Sequence, residues 1–100
     1  MILHINTKDR KVIKVSLKEN GKVVKSLSKR NEYGSQVLLP LIMKLLQAAS
    51  CRLQTIKGIE VETGPGSFTG LRVGVSVANA LGFSLNIPVN GKKIEDKLVY

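Results

Sequence analysis

Apolar and polar side chains alternate one by one from Lys11 to Lys18, with Ile13, Val15 and Leu17 on one side and Lys14, Ser16 and Lys18 on the other. A period of two is the mark of a strand with one buried face. Ile2 to Thr7 is a shorter β-rich segment. Asn20-Gly21 supplies two residues that accept the positive φ angles of a tight hairpin, so Lys22 to Ser28 is predicted to return antiparallel. The first three strands then form a meander. Lys29 to Gly34 reads as a polar loop, after which Ser35 can cap a helix running to about Ala49. Pro40 removes one backbone bond from that helix and bends its early turns. Ile59 to Thr63 is a fourth strand, Gly64 to Gly70 a glycine-rich turn into a second helix ending at Leu85, and Pro88 to Asn90 a brief fifth strand. Lys92 to Tyr100 either begins a short helix or frays.

A strand, helix, strand, helix, strand run calls for parallel neighbours joined by crossovers. The expected fold is α/β: a five-stranded mixed sheet with two helices on one face, residues 1–100 forming a single domain. If Leu3, Ile5, Ile13, Val15, Leu17, Ile59 and Val61 point toward the helices, alternation sends His4, Asn6, Lys14, Ser16, Lys18, Glu60 and Glu62 to the opposite face. That second face is polar. The helices are the reverse. Arg72 is the sole ionised residue of the second helix, and Lys44 is the sole one between Val37 and Leu46. Surface helices normally carry charges opposite their apolar stripe, so both of these need cover on two sides. Their own sheet supplies one cover and another molecule the second.

Length and charge refine this picture. One hundred residues bury roughly 60 to 68% of the unfolded chain's surface but do not enclose a deep cleft between two lobes. Residues 1–30 hold nine Lys or Arg against Asp9 and Glu19, whereas residues 31–100 hold seven against five acids, so the net +9 belongs mostly to the N-terminal third. Lys14, Lys18, Lys22 and Lys25 are therefore candidate contacts to a polyanion such as a nucleic acid. The competing reading is a lysine-coated edge that keeps the sheet soluble and unpaired. Cys51 is the only cysteine, and no signal sequence opens the chain, so a cytoplasmic protein is expected. The apolar stretch from Leu71 to Leu85 falls short of the roughly 20 residues of a membrane span.

Little in the chain points to catalysis. With one histidine (His4) and one cysteine, no metal cluster, cofactor site or cysteine–histidine pair is supported. Gly74-Val75-Ser76-Val77-Ala78 echoes a nucleophile elbow only faintly, because Ser76 falls inside a helix. Glu60 and Glu62 share a strand face and read either as a carboxylate pair or as solvated partners of Lys14 or Lys18. The turn of Gly64, Gly66, Ser67 and Thr69, with Arg72 beyond it, can bind an anion at a helix N-terminus or can simply turn and cap the chain. It lacks both the dinucleotide glycine spacing and the Gly-Lys-Ser/Thr signature. Arg72 fits an anion contact or an ion pair with another subunit. Gly70, Gly74, Ala78 and Gly82 recur at every fourth position, a stripe that lets a second helix approach closely.

Gly64-Pro65-Gly66-Ser67-Phe68-Thr69-Gly70-Leu71-Arg72-Val73-Gly74, preceded by Leu38-Leu39-Pro40-Leu41-Ile42 and followed by Ala80-Leu81-Gly82 and Ile87-Pro88-Val89, resembles the N-terminal half of the TsaB (YeaZ) family. The resemblance covers nearly the whole chain and implies half of an actin-like (ribonuclease-H-like) fold. It further implies a non-catalytic subunit in making threonylcarbamoyladenosine in tRNA. Such a subunit forms a heterodimer with a TsaD-like enzyme, homodimerises when alone, and has a TsaE-like ATPase as a further partner. On this resemblance the pairing surface is assigned to Val37, Leu38, Leu41, Ile42 and Leu45 of the first helix and Gly70, Val73, Gly74, Val77, Ala78 and Leu81 of the second, half of a four-helix bundle.

Two departures stand out. The second actin-like half of longer members is missing, and the family's Asp-Thr at the end of the first strand is Asn6-Thr7 here, which weakens a nucleotide role. The paired metal-binding histidines of TsaD-like enzymes are absent as well. The polar second sheet face leads to the expectation of a natural minimal form with that face in water. A homodimeric basic nucleic-acid-binding module, independent of any TsaD-like enzyme, is the alternative reading; a small nucleotide-binding enzyme using the Gly64 turn is a third.

Overall fold

The computed structural model describes residues 1–9, 11–30, 35–64 and 68–93. Along the chain run β1 (Ile2–Asn6), β2 (Val12–Glu19), β3 (Lys22–Arg30), α1 (Ser35–Ala48), β4 (Gly58–Val61), α2 (Phe68–Leu85), β5 (Pro88–Val89) and β6 (Lys92–Lys93), with one 3-10 turn at Leu53–Thr55. The strands form one mixed sheet in the order β3-β2-β1-β4-β5-β6. α1 packs over β2 and β3, α2 over β1, β4 and β5, and the two helices touch. The five expected strands and both helices are present.

Alternation along the strands decides which residues become core. β1 pairs antiparallel with β2, Leu3 opposite Leu17 and Ile5 opposite Val15. It pairs parallel with β4, Leu3 beside Ile59 and Ile5 beside Val61. These six side chains and Ile13 are all buried. From α1 come Leu38, Leu41, Ile42, Leu45 and Leu46, an i, i+3, i+4, i+7, i+8 stripe. Among the described side chains of α2 only Ala78 is apolar and fully buried, with Gly74, Asn79 and Gly82 buried around it.

Turn chemistry sets the boundaries. Asn20 (φ 54°) and Gly21 (φ 78°) form the β2–β3 hairpin with two positive φ angles in succession. Pairing continues beyond the expected end of β3, since Val12 sits opposite Arg30, so Lys29 and Arg30 belong to the strand rather than to a loop. Both helices close in the same way. Cys51 N–H donates to Leu46 and Ser50 N–H to Gln47, with Ser50 at φ 54°; Ile87 N–H donates to Gly82 and Asn86 N–H to Phe83, with Asn86 at φ 57°. Each is the paired closure that usually places glycine at the left-handed residue.

The sheet's far edge differs from the sequence expectation. Lys92 and Lys93 do not open a helix: they form β6, antiparallel to β5 across a second two-residue turn, Asn90 (φ 50°) and Gly91 (φ 80°). The rest of the expected tail, residues 94–100, lies outside the described residues. Asn90 also closes β4. Its side chain accepts from Val61 N–H at 2.8 Å and donates to Val61 C=O at 3.1 Å, standing in for one more strand residue.

Candidate interaction surfaces

The helix layer shows which apolar residues this chain covers by itself. Leu38, Ile42, Leu45 and Ala78 have no exposure at all, and Leu41 keeps 5%. This corrects the sequence-based surface. These five residues, together with Gly74, form the chain's own core and are unavailable to a partner. The physical reason lies in the small-residue stripe. A Cβ on Gly74 would fall on the Thr7 hydroxyl and within 3.4 Å of Thr7 Cβ and Cγ2. Gly74, Ala78 and Gly82 therefore seat α2 closely on its own sheet instead of offering it to a second helix.

The outward side is apolar too. Leu39 (46% exposed) and Met43 (49%) lie one turn apart on α1, and Phe83 (53%) points outward from α2. Val37, Val73, Val77 and Leu81 are half-buried at the flanks of the core. Both helices rest on one sheet face and touch, so their outward sides together make one apolar layer with few charges. Leu39 and Met43 were legible as an i, i+4 pair beside the stripe of Leu38, Leu41 and Leu45. Phe83 carried no such signal.

Of the glycine turn, Gly64 has φ 132°, a conformation that favours glycine. Gly66 and Ser67 lie outside the described residues, as do the side chains of Thr69 and Gly70. Arg72 is exposed in the second turn of α2. Asn6 accepts the Lys8 N–H at 3.2 Å and holds the turn after β1. Among the described residues no three His, Cys, Asp or Glu side chains converge as a metal set, and no helix is long and apolar enough to cross a membrane.

The opposite sheet face carries an ionic network rather than a catalytic pair. Lys18 Nζ lies 3.0 Å from Glu60 Oε1, so Glu60 is the solvated partner of a lysine. Glu62 stands between two donors, His4 Nε2 at 2.9 Å and Lys8 Nζ at 3.1 Å. The hydrogen bond from His4, followed by that from Lys8, holds the Glu62 carboxyl below the usual carboxylate range against a smaller opposing effect of partial burial. His4 keeps 20% side-chain exposure and Glu60 50%, so no described element covers these two side chains.

The candidate tRNA contacts divide between the two faces. Residues opposite one another in register share a side of the sheet. Lys14 and Lys18 lie in the row of His4 and Asn6 on the open face, whereas Lys25, opposite Leu17, and Lys22, opposite Glu19, lie on the helix side of the overhanging β3. Lys14, Lys22 and Lys25 are exposed.

Comparison with known proteins follows from this geometry. A protein-family model described as TsaD: tRNA N6-adenosine threonylcarbamoyltransferase matches residues 13–91. The tRNA threonylcarbamoyladenosine biosynthesis protein TsaB of Buchnera aphidicola subsp. Schizaphis graminum is 37% identical over 71 residues, which cover 70% of this chain and 34% of the relative. The tRNA N6-adenosine threonylcarbamoyltransferase of Nitrosospira multiformis is 42% identical over 73 residues, covering 73% of this chain and 20% of the relative. In three dimensions the chain superposes on YeaZ from Pseudomonas aeruginosa with a TM-score of 0.78 at 31% identity, covering 88% of this chain and 41% of that one. The sheet and its two helices are thus half of an actin-like fold, and the chain spans between about a fifth and two fifths of these relatives' lengths.

Proposed function

The chain belongs to the family of the matching TsaD model, within its TsaB (YeaZ) group, and from that membership we propose that it is a non-catalytic partner subunit in forming threonylcarbamoyladenosine in tRNA. It pairs with a TsaD-like enzyme through the outward layer of α1 and α2. The observation that carries this reading is the exposure of Leu39, Met43 and Phe83 on helices with almost no charge. Large apolar side chains gathered on one side are what a partner's helices would cover. Because a TsaD-like enzyme shares this half of the fold, the same layer serves a homodimer or the mixed pair, and the two compete. In the mixed pair this chain holds the enzyme's helices in a competent arrangement and supplies no reacting group.

Light scattering coupled to size-exclusion chromatography tests the pairing, first on this chain alone and then with the TsaD-like protein of the same organism. A homodimer that exchanges into a mixed complex is expected. Met43→Glu and Phe83→Glu place a charge in the layer without touching the core, and each should weaken both assemblies by ~2–4 kcal/mol while leaving the thermal midpoint nearly unchanged. Full pairing by both variants refutes the surface. The family model describes an enzyme, so a transferase assay belongs beside it. The expected outcome is no turnover by this chain alone and faster turnover by the enzyme in its presence; turnover by the isolated chain refutes the non-catalytic role.

A further inference from the structure

β3 is the edge strand of the sheet beside α1, and it is exposed along almost all of its length. Within the nine residues of β3 stand Lys22, Lys25, Lys29 and Arg30, with no acid among them. Lys22, Lys25 and Lys29 follow one side of the strand, because Lys22 sits opposite Glu19, Lys25 opposite Leu17 and Lys29 opposite Ile13. At a strand rise of about 3.3 Å per residue, the row runs roughly 20 Å, shortened a little by the irregularity between Leu17 and Lys18.

Ion pairing separates these cations from Lys8 and Lys18. Lys8 is held by Glu62 and Lys18 by Glu60, while Glu19 faces the N-terminal ammonium at 3.7 Å. None of the ion pairs formed among the described residues involves Lys14, Lys22, Lys25, Lys29 or Arg30. On the open sheet face Lys8 and Lys18 are thus matched by carboxylates, whereas the four cations of the edge strand are not. One or two lysines suffice to keep an edge from pairing with another strand. Four cations in nine residues exceed that need.

We propose that β3 is a docking edge for the phosphate backbone of a structured RNA, with Lys22, Lys25, Lys29 and Arg30 as the phosphate contacts and Lys14 flanking them. The choice of RNA over other polyanions rests on the tRNA role proposed above; the contact set does not. On the other side of the strand, opposite Ser16 and Lys14, Ser26 and Ser28 carry hydroxyls of the kind that bind phosphate oxygens. No aromatic residue lies on β2 or β3, so there is no platform for stacking bases, and recognition is of backbone rather than sequence. β3 is the edge strand on the α1 side of the sheet, beyond the strands that α2 covers.

Fluorescence anisotropy with a labelled, unmodified tRNA transcript tests this on the full chain between 50 and 200 mM salt (about the range over which phosphate contacts are resolved). Each phosphate contact adds ~0.7–0.9 to the slope of log affinity against log salt. The Lys22→Gln/Lys25→Gln/Lys29→Gln variant is expected to lower that slope by about 2 and to weaken binding on the order of 100-fold at 100 mM salt. Lys18→Gln removes the same single charge as Lys25→Gln but from a neutralised lysine. It should leave the slope unchanged, where Lys25→Gln lowers it by ~0.8. An unrelated structured RNA should bind equally well, and polyglutamate should not compete at matched charge. Equal losses from Lys18→Gln and Lys25→Gln would mean that only net charge matters and would overturn the proposal, as would a salt-insensitive slope or binding of polyglutamate in place of RNA. Light scattering with the TsaD-like protein, run on the same variants, keeps the two readings apart. RNA binding by a chain that fails to pair supports the docking edge while refuting the subunit role, and pairing without RNA binding does the reverse.

Discussion

Replacing Gly74 with alanine separates the inward reading of the small-residue stripe from the outward one. Taken alone, alanine in a helix interior is more favourable than glycine by ~1 kcal/mol. If Gly74 faced solvent or an absent partner, the isolated chain would gain that amount. In the structure the new methyl meets the Thr7 hydroxyl, and Thr7, 1% exposed at the end of β1, has no room to withdraw. Overpacking of this kind costs ~1–3 kcal/mol, so the net effect should be a loss of roughly 0–2 kcal/mol in place of the gain. The cause is checked in a double-mutant cycle. Thr7→Ala removes the clashing hydroxyl and one methyl, leaving a Cβ at 3.4 Å, an acceptable contact. Thr7→Ala is itself destabilising, but in its background Gly74→Ala should become neutral or stabilising, giving a favourable coupling of ~1–3 kcal/mol. Urea unfolding followed by circular dichroism reads all four proteins. A gain of about 1 kcal/mol from Gly74→Ala in the otherwise unchanged chain, or zero coupling, refutes the seating of α2 on β1. For the same reason an aspartate at Gly74 or Leu41 would unfold the chain and says nothing about pairing, so Met43 and Phe83 are the sites to probe.

Ser50 holds a left-handed conformation at the close of α1, so Ser50→Gly should raise stability by ~0.5–1 kcal/mol, read as a higher urea midpoint. A lower midpoint would contradict that closure. Glu62 is held ionised by His4 and Lys8, and its lowered pKa means that its contribution is fully present above the unfolded-state value near 4.5 and is lost as pH falls through the folded value. Thermal melts at pH 6 and pH 3.5 (a window of about 2.5 units) should therefore show a smaller acid loss for Glu62→Gln than for the unaltered chain. Equal losses would remove Glu62 from the acid response.

The sheet was largely legible before any coordinates, because its information is local. Alternation in β1, β2 and β4 sends Leu3, Ile5, Ile13, Val15, Leu17, Ile59 and Val61 to one face whatever their neighbours are, and the structure buries all of them. Asn20-Gly21 announces its hairpin because few other residue pairs accept two positive φ angles. Asn90-Gly91 carries the same signal, but the strands it joins have two residues each, too few to show a period.

What sequence could not decide is orientation. A helix that is apolar almost all the way round has no polar stripe to mark its outside, so both faces of α2 fit the sheet by periodicity alone. Packing resolved this through volume: only the side lined by Gly74, Ala78 and Gly82 lets α2 settle onto Thr7, and that choice turned the supposed contact stripe into core. Register did the same for charge. Composition put the cations in the first thirty residues, but a pairing that brings Lys18 to Glu60, 42 positions away, and Lys8 to Glu62, 54 positions away, decides which lysines are neutralised. Which residues form elements is a property of short stretches of chain. Which faces and charges stay free depends on distances between elements, and those exist only once the chain has folded.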